Sequence, residues 1–145
     1  MNVKHTVGNL IVTALPTWLD VTHDIEADCP PFTLARNDGV GVLQFSTAAY
    51  EKGKLPNIKT EDLRKLSADF ALSRELGSAF DKQSREQPIL AYGQSFNSGT
   101  QFIRVWYCSN GQDVALVTYV CEKGLEVREI PDCETMVAAL RFAPV

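Results

Sequence analysis

Residues 100–121, TQFIRVWYCSNGQDVALVTYVC, hold two apolar stretches, Thr100 to Cys108 and Val114 to Cys121, on either side of SNGQD. Asn-Gly supplies the left-handed backbone that a tight turn needs, so the segment reads as a long β-hairpin. The run VALVTYVC has almost no polar position, as expected of a central strand covered on both faces. In the first strand, alternation places Phe102, Arg104, Trp106 and Cys108 on one face and Ile103, Val105 and Tyr107 on the other. Arg104 is the odd member of its face. It is expected to stack on Trp106, to pair with a carboxylate such as Glu126 or Glu129, or to mark an uncovered end of the sheet.

Working outward, Ile89 to Tyr92 reads as a strand and Asn97-Ser98-Gly99 as a turn. On the other side Glu122-Lys123-Gly124 turns the chain into LEVREI, whose alternation predicts a strand with Leu125, Val127 and Glu129 on one face. Pro131-Asp132 then opens a short helix, with Asp132 as its cap and Met136, Val137 and Leu140 as its apolar stripe. Upstream, Val7 to Leu15 is a strand stopped by Pro16, and Phe32 to Arg36 meets Val40 to Thr47 across Asn37-Asp38-Gly39. Residues 50–59 read as an exposed connection. Thr60 is the expected cap of a helix with Glu61 and Asp62 in its first turn and Leu63, Leu66 and Phe70 along one side. Gly77 stops it, and SAFDKQSREQP returns the chain through polar sequence. Hairpins give antiparallel pairing, and two helices far apart in sequence can cover the sheet. The expected fold is therefore α+β, an antiparallel sheet of about six strands flanked by helices in one domain spanning 1–145.

Composition narrows the function. With 145 residues, 45% hydrophobic and 22% charged, the chain is an ordinary globular sequence. A net charge of -4 argues against nucleic acid or an anionic membrane as partner, because both attract a positive surface. No stretch approaches the roughly 20 apolar residues that span a bilayer. The opening MNVKHTVGNLIVTALP interleaves polar residues and shows no small-residue cleavage site, so a cytoplasmic location is expected.

Motifs for chemistry are scarce. Cys29, Cys108, Cys121 and Cys133 include no C-x-x-C pair, which weakens a zinc or redox reading. Pairing about Asn110 and Gly111 puts Cys108 near Val114 and Cys121 near Gln101, so the two sulfurs lie roughly 20 Å apart and cannot bond. There is no G-x-S-x-G and no phosphate-binding glycine loop. The G-x-G of NDGVGVLQF leads into a strand and cannot aim helix-terminal amides at a phosphate. No cofactor, no metal and no catalytic residue is expected. His23 sits in WLDVTHDIEAD among Asp20, Asp24, Glu26 and Asp28, a locally acidic segment without the spacing of a calcium loop. Trp18, Trp106, Tyr107 and Tyr119 suit either the core or an interface.

L-P-x-x-W-x-D-x-T (Leu15, Pro16, Trp18, Asp20, Thr22), G-V-L-Q-F-S (Gly41 to Ser46), the hairpin R-V-W-Y and V-A-L-V-T-Y, and a closing A-A-L-R-F (Ala138 to Phe142) occur in this order. Together they resemble small bacterial proteins of PsbP-like fold, DcrB-related proteins among them. The resemblance spans most of the chain and rests on strand and packing signatures. It implies an α/β/α sandwich that serves as a binding scaffold, as in immunity proteins against toxins and adaptor chaperones for type VI secretion effectors. The chain lacks the lipoprotein-like export signal of the DcrB type, which again favours the cytoplasm. The expected function is a non-enzymatic cytoplasmic immunity protein that binds a cognate toxin. Asp20, His23, Asp24, Glu26 and Asp28 are the candidate interface residues, with Trp18 or Tyr50 as anchors. An adaptor chaperone, which requires an exposed apolar groove, and a small enzyme, which requires a deep pocket with convergent titratable groups, are the alternatives.

Overall fold

Alternating apolar residues bury one side of a strand and leave the next residue for the other side. In the computed structural model, which describes residues 1–48 and 57–143, this alternation builds a central sheet with a layer on each face. The strands are β1 (Val3–Val7), β2 (Leu10–Ala14), β3 (Trp18–Asp20), β4 (Phe32–Arg36), β5 (Gly41–Ala48), β6 (Phe80–Arg85), β7 (Leu90–Ser98), β8 (Gln101–Ser109), β9 (Val114–Glu122) and β10 (Arg141–Phe142). The helices are α1 (Thr60–Ser73) and α2 (Ile130–Ala138). The main sheet runs β3-β4-β5-β9-β8-β7-β6 and a smaller one runs β1-β2-β10, with every neighbouring pair antiparallel. Among the described residues no helix is long and apolar enough to cross a membrane.

The β8–β9 hairpin forms as expected, with its register one residue away from the sequence reading. Cys108 faces Ala115 and Cys121 faces Phe102, and all four cysteines are free thiols. The faces of β8 also divide as the alternation requires. Phe102, Trp106 and Cys108 join Leu10, Val12, Trp18, Leu43, Phe45, Met136 and Leu140 in the core under α2 and the small sheet. Val105 and Tyr107 join Leu63, Tyr92 and Phe96 under α1. Each fully buried leucine or phenylalanine of these cores contributes about 1.5–3 kcal/mol of transfer free energy.

The structure corrects several sequence expectations. The main sheet has seven strands, close to the expected six, and a second, three-stranded sheet was not anticipated. The expected Val7 to Leu15 strand is broken at Gly8, at φ +59°, by the tight turn between β1 and β2, since a glycine meets no Cβ penalty there. The polar return contains β6, whose six residues are all exposed because it is an edge strand. LEVREI is no strand: it forms a 3-10 turn at Glu126–Arg128 that feeds α2. Lys59, not Thr60, is the N-cap of α1, and its N–H donates to Asp62 at 2.8 Å. Asp132 lies in the first turn of α2 rather than capping it. On β9 the α2 side is fully buried, while Leu116, Thr118 and Val120 on the α1 side remain half-buried.

Candidate functional site

The acidic segment is fixed to one edge of the main sheet by β3. Trp18, Leu19 and Asp20 pair with Arg36, Ala35 and Leu34, and a 3-10 turn at Thr22–Asp24 then lifts the chain off the edge. Asp20 Oδ1 accepts the Thr22 N–H at 3.0 Å and its hydroxyl at 2.6 Å, and Thr22 Oγ1 in turn accepts the Thr33 N–H at 2.9 Å. The Thr22 hydroxyl, with the Thr22 N–H and the nearby His5 and His23, holds the Asp20 carboxyl below its usual range against a small desolvation penalty. His23, Asp24, Glu26 and Asp28 are exposed, as is Leu19. Five of the sequence-derived interface residues are thus exposed within one continuous segment, residues 20–28. Trp18 is not among them. It is 2% exposed, packs in the core, and donates its indole N–H to Asp132 Oδ2 at 3.0 Å, so it cannot anchor a partner. Tyr50 lies outside the described residues. Among the described residues no three His, Cys, Asp or Glu side chains converge as metal ligands.

Inside the fold, the G-x-G of the β4–β5 turn has a chemical role that its sequence context hid. The N–H groups of Val40 and Gly41 point at Glu129, reaching Oε2 at 3.2 Å and Oε1 at 3.0 Å, and the Tyr119 hydroxyl donates to Oε1 at 2.8 Å. Consecutive amides form an anion-binding nest, here occupied by the protein's own carboxylate. A Cβ on Gly39 would stand 2.7 Å from Glu129 Oε2, and one on Gly41 would stand 2.6 Å from the Val120 carbonyl oxygen. Burial, aided by the Glu129 carboxylate, pushes the Tyr119 phenol far above its ordinary range and keeps it a donor.

Arg104 chooses a partner that sequence reasoning missed. Its Nε donates to Glu134 Oε2 at 2.8 Å, and Trp106 donates its indole N–H to Oε1 of the same carboxylate at 3.1 Å. Nη1 donates to the Asp81 carbonyl at 2.9 Å and to Ser95 Oγ at 2.8 Å. The guanidinium carbon also sits 5.4 Å from the Trp106 ring. Of the alternatives the sequence leaves open, Arg104 lies over Trp106 and also pairs with a carboxylate, which is Glu134 rather than Glu126 or Glu129. Glu134 precedes the buried Met136 and Val137 on α2, and Glu134 and Val137 at i,i+3 share one side of the helix, so the position was legible once α2 was seated over β8.

Among the described residues, concave regions lie on several sides of this framework. A cleft of about 260 Å³ lies over β7 between Arg104, Trp106, Glu134 and Val137 on one side and Gln83 and Arg85 of β6 on the other. A groove of about 430 Å³ runs between α1 and β6–β7, lined by Ala68, Ala71, Leu72, Ala79 and Phe96. A third, of about 280 Å³, lies beside Phe70 and Arg74 over Gln44, Leu116 and Thr118. The buried thiols offer little nucleophilicity. Burial pushes Cys108 up to about 12 and raises Cys133 and Cys121 as well, so the thiolate is scarce near neutrality.

No family model matches the sequence, and no curated protein does. The solved structure of cyanobacterial PsbP (CyanoP) from Synechocystis sp. PCC 6803 is similar at a TM-score of 0.63 and 8% identity, over 97% of this chain and 92% of that one. A single-residue mutant of the protein Mog1 is similar at a TM-score of 0.60 and 9% identity, over 100% of this chain and 97% of that one. At such identities the likeness speaks to architecture. The chain has a PsbP-like α+β fold, an antiparallel sheet with helices on its faces.

Proposed function

We propose that this chain is a non-enzymatic protein-binding module, acting in the bacterial cytoplasm as an immunity protein that occludes a cognate toxin. The observation that carries the reading is a division of labour among carboxylates. Glu129 and Glu134 have both oxygens engaged by N–H or O–H donors, contacts that tie these two carboxylates into the framework of the fold. Asp24, Glu26 and Asp28, by contrast, stand exposed beside His23 at the sheet edge. An acidic segment on a chain of charge -4 suits a toxin with a cationic cleft, because complementary charge speeds encounter.

The test is to mix the purified protein with the product of the adjacent gene and follow binding by interferometry at two salt concentrations. A complex whose association slows with salt, and slows further with Asp24→Lys, Glu26→Lys and Asp28→Lys combined, supports the proposal. No complex, or one indifferent to these changes, overturns it. A second reading, an adaptor for a type VI secretion effector, draws on the apolar groove along α1, where Leu72 is 79% exposed. It predicts instead that Leu72→Asp abolishes binding while the charge reversals do nothing.

A further inference from the structure

The cleft over β7 contains a donor with nothing to serve. Arg104 is 1% exposed, and three of its polar contacts are made by Nε and Nη1; among the described residues Nη2 is buried and has no hydrogen-bond partner. A buried guanidinium N–H without an acceptor is destabilising, because it has lost its water and gained nothing in return. Nη2 packs directly against Gly93, a position in the lining of the cleft. A Cβ there would stand 3.0 Å from Nη2 and 2.8 Å from Trp106 Cδ1. Ala91 and Gly93 make a low floor on this face of β7, and Gln83 and Arg85, their register partners across β6, form the outer wall. Arg85 is exposed and stands near enough to weigh on the buried Cys108 thiol together with Glu134.

We propose that this cleft is a binding site for a small free monocarboxylic acid, held with one oxygen on Arg104 Nη2 and its charge countered by Arg85. The charge inventory sets the valence. Glu134 at 2.8 Å and the Asp81 carboxylate at 3.7 Å already answer Arg104, so Arg85 is the one cation of the lining left to balance a ligand. A dianion such as a phosphate monoester would face two fixed carboxylates with that single counter-charge. The volume of about 260 Å³ corresponds to roughly nine waters at their liquid density, enough for a compact aromatic or branched acid whose apolar part rests on Ala91 and Val137. Arg104 lies at the floor, where a free acid arrives without a backbone to accommodate. This site is independent of the acidic segment and of the toxin-binding reading.

The probe is benzoate, titrated into the full-length protein and followed by the indole N–H resonances of its two tryptophans in a nitrogen-edited NMR spectrum. The expected result is a saturable shift of the Trp106 indole with a dissociation constant of about 1 mM. Arg85→Gln, an exposed change that leaves the core untouched, weakens it at least about fivefold. Benzamide, which keeps the shape and loses the charge, and phenyl phosphate, which doubles the charge, both bind more weakly. Gly93→Ala abolishes the shift by filling the cradle, with the Trp18 indole resonance reporting that the fold survives. Absence of saturation, equal binding of benzamide, tighter binding of phenyl phosphate, or an unchanged affinity in Arg85→Gln overturns the proposal and leaves the cleft to water.

Discussion

Replacing Glu134 by alanine should unsettle the sheet far more than its position on a short surface helix implies. The carboxylate is 28% exposed, but the groups it serves are buried: the Arg104 side chain at 1% and Trp106 at 2%. Removing one partner of a buried ion pair costs about 3–5 kcal/mol, because the remaining charge is left uncompensated. Asp81, 3.7 Å from Nη1 and 58% exposed, retains part of the compensation and places the cost near the lower end, about 3 kcal/mol. The Trp106 indole N–H loses its acceptor too, adding about 1 kcal/mol. The total of about 4 kcal/mol lowers the midpoint of a domain this size by about 12 °C. Urea denaturation followed by tryptophan fluorescence measures the first figure and calorimetry the second. Pairing Glu134→Leu with Arg104→Met should recover most of the loss, since it removes both charges together. A single-variant cost under about 1 kcal/mol, or a double variant no more stable than Glu134→Ala, refutes the claim that this pair is a structural unit.

Gly41→Ala should destabilise by about 2 kcal/mol or more, because the added methyl would meet the Val120 carbonyl oxygen and the Tyr119 ring at 2.6 and 2.7 Å; denaturant midpoints measure it, and a neutral result would refute the packing at the Glu129 nest. Tyr119→Phe should cost about 1–2 kcal/mol by the same measurement, since it leaves Glu129 Oε1 with the Gly41 N–H alone. A thiol reagent at mildly alkaline pH should label the exposed Cys29 quickly and the other three only on unfolding, read by mass spectrometry. The Cys108 thiol is raised to about 12 when folded, against an ordinary value near 9. Its contribution is present in full below about pH 9 and is lost as pH climbs toward 12, so stability should fall over that window and fall less steeply in Cys108→Ala.

Strands and helices were legible where period and turn chemistry agreed. The SNGQD hairpin, the Asn37-Asp38-Gly39 turn and the amphipathic α1 all formed because each is decided by residues a few positions apart. LEVREI misled because its apolar alternation is shared by a strand and by a 3-10 turn whose Val127 stays exposed. The polar β6 carries no hydrophobic signal; it is a strand only because β7 offers it a ladder. The Glu129 nest joins residues 88 and 89 positions apart, and the Arg104 pair spans 30. Such contacts are set by how the layers stack, which no local window records. The acidic segment was readable as composition, whereas the fate of Trp18 was decided by Asp132, more than a hundred residues away.

The two margins of the main sheet differ from its interior in a way that bears on behaviour at high concentration. β3 is only three residues long, and β6 breaks register between Phe80 and Gln83, with Asp81 in a left-handed conformation at φ +53°. The strand carries three charged residues, Asp81, Lys82 and Arg85, all exposed. A flat, apolar border would template the addition of further chains, while a short or kinked and charged one gives an incoming strand no continuous row of amides. Seven strands can therefore lie side by side without inviting an eighth from a neighbouring molecule, which protects the protein from fibrous self-association during synthesis.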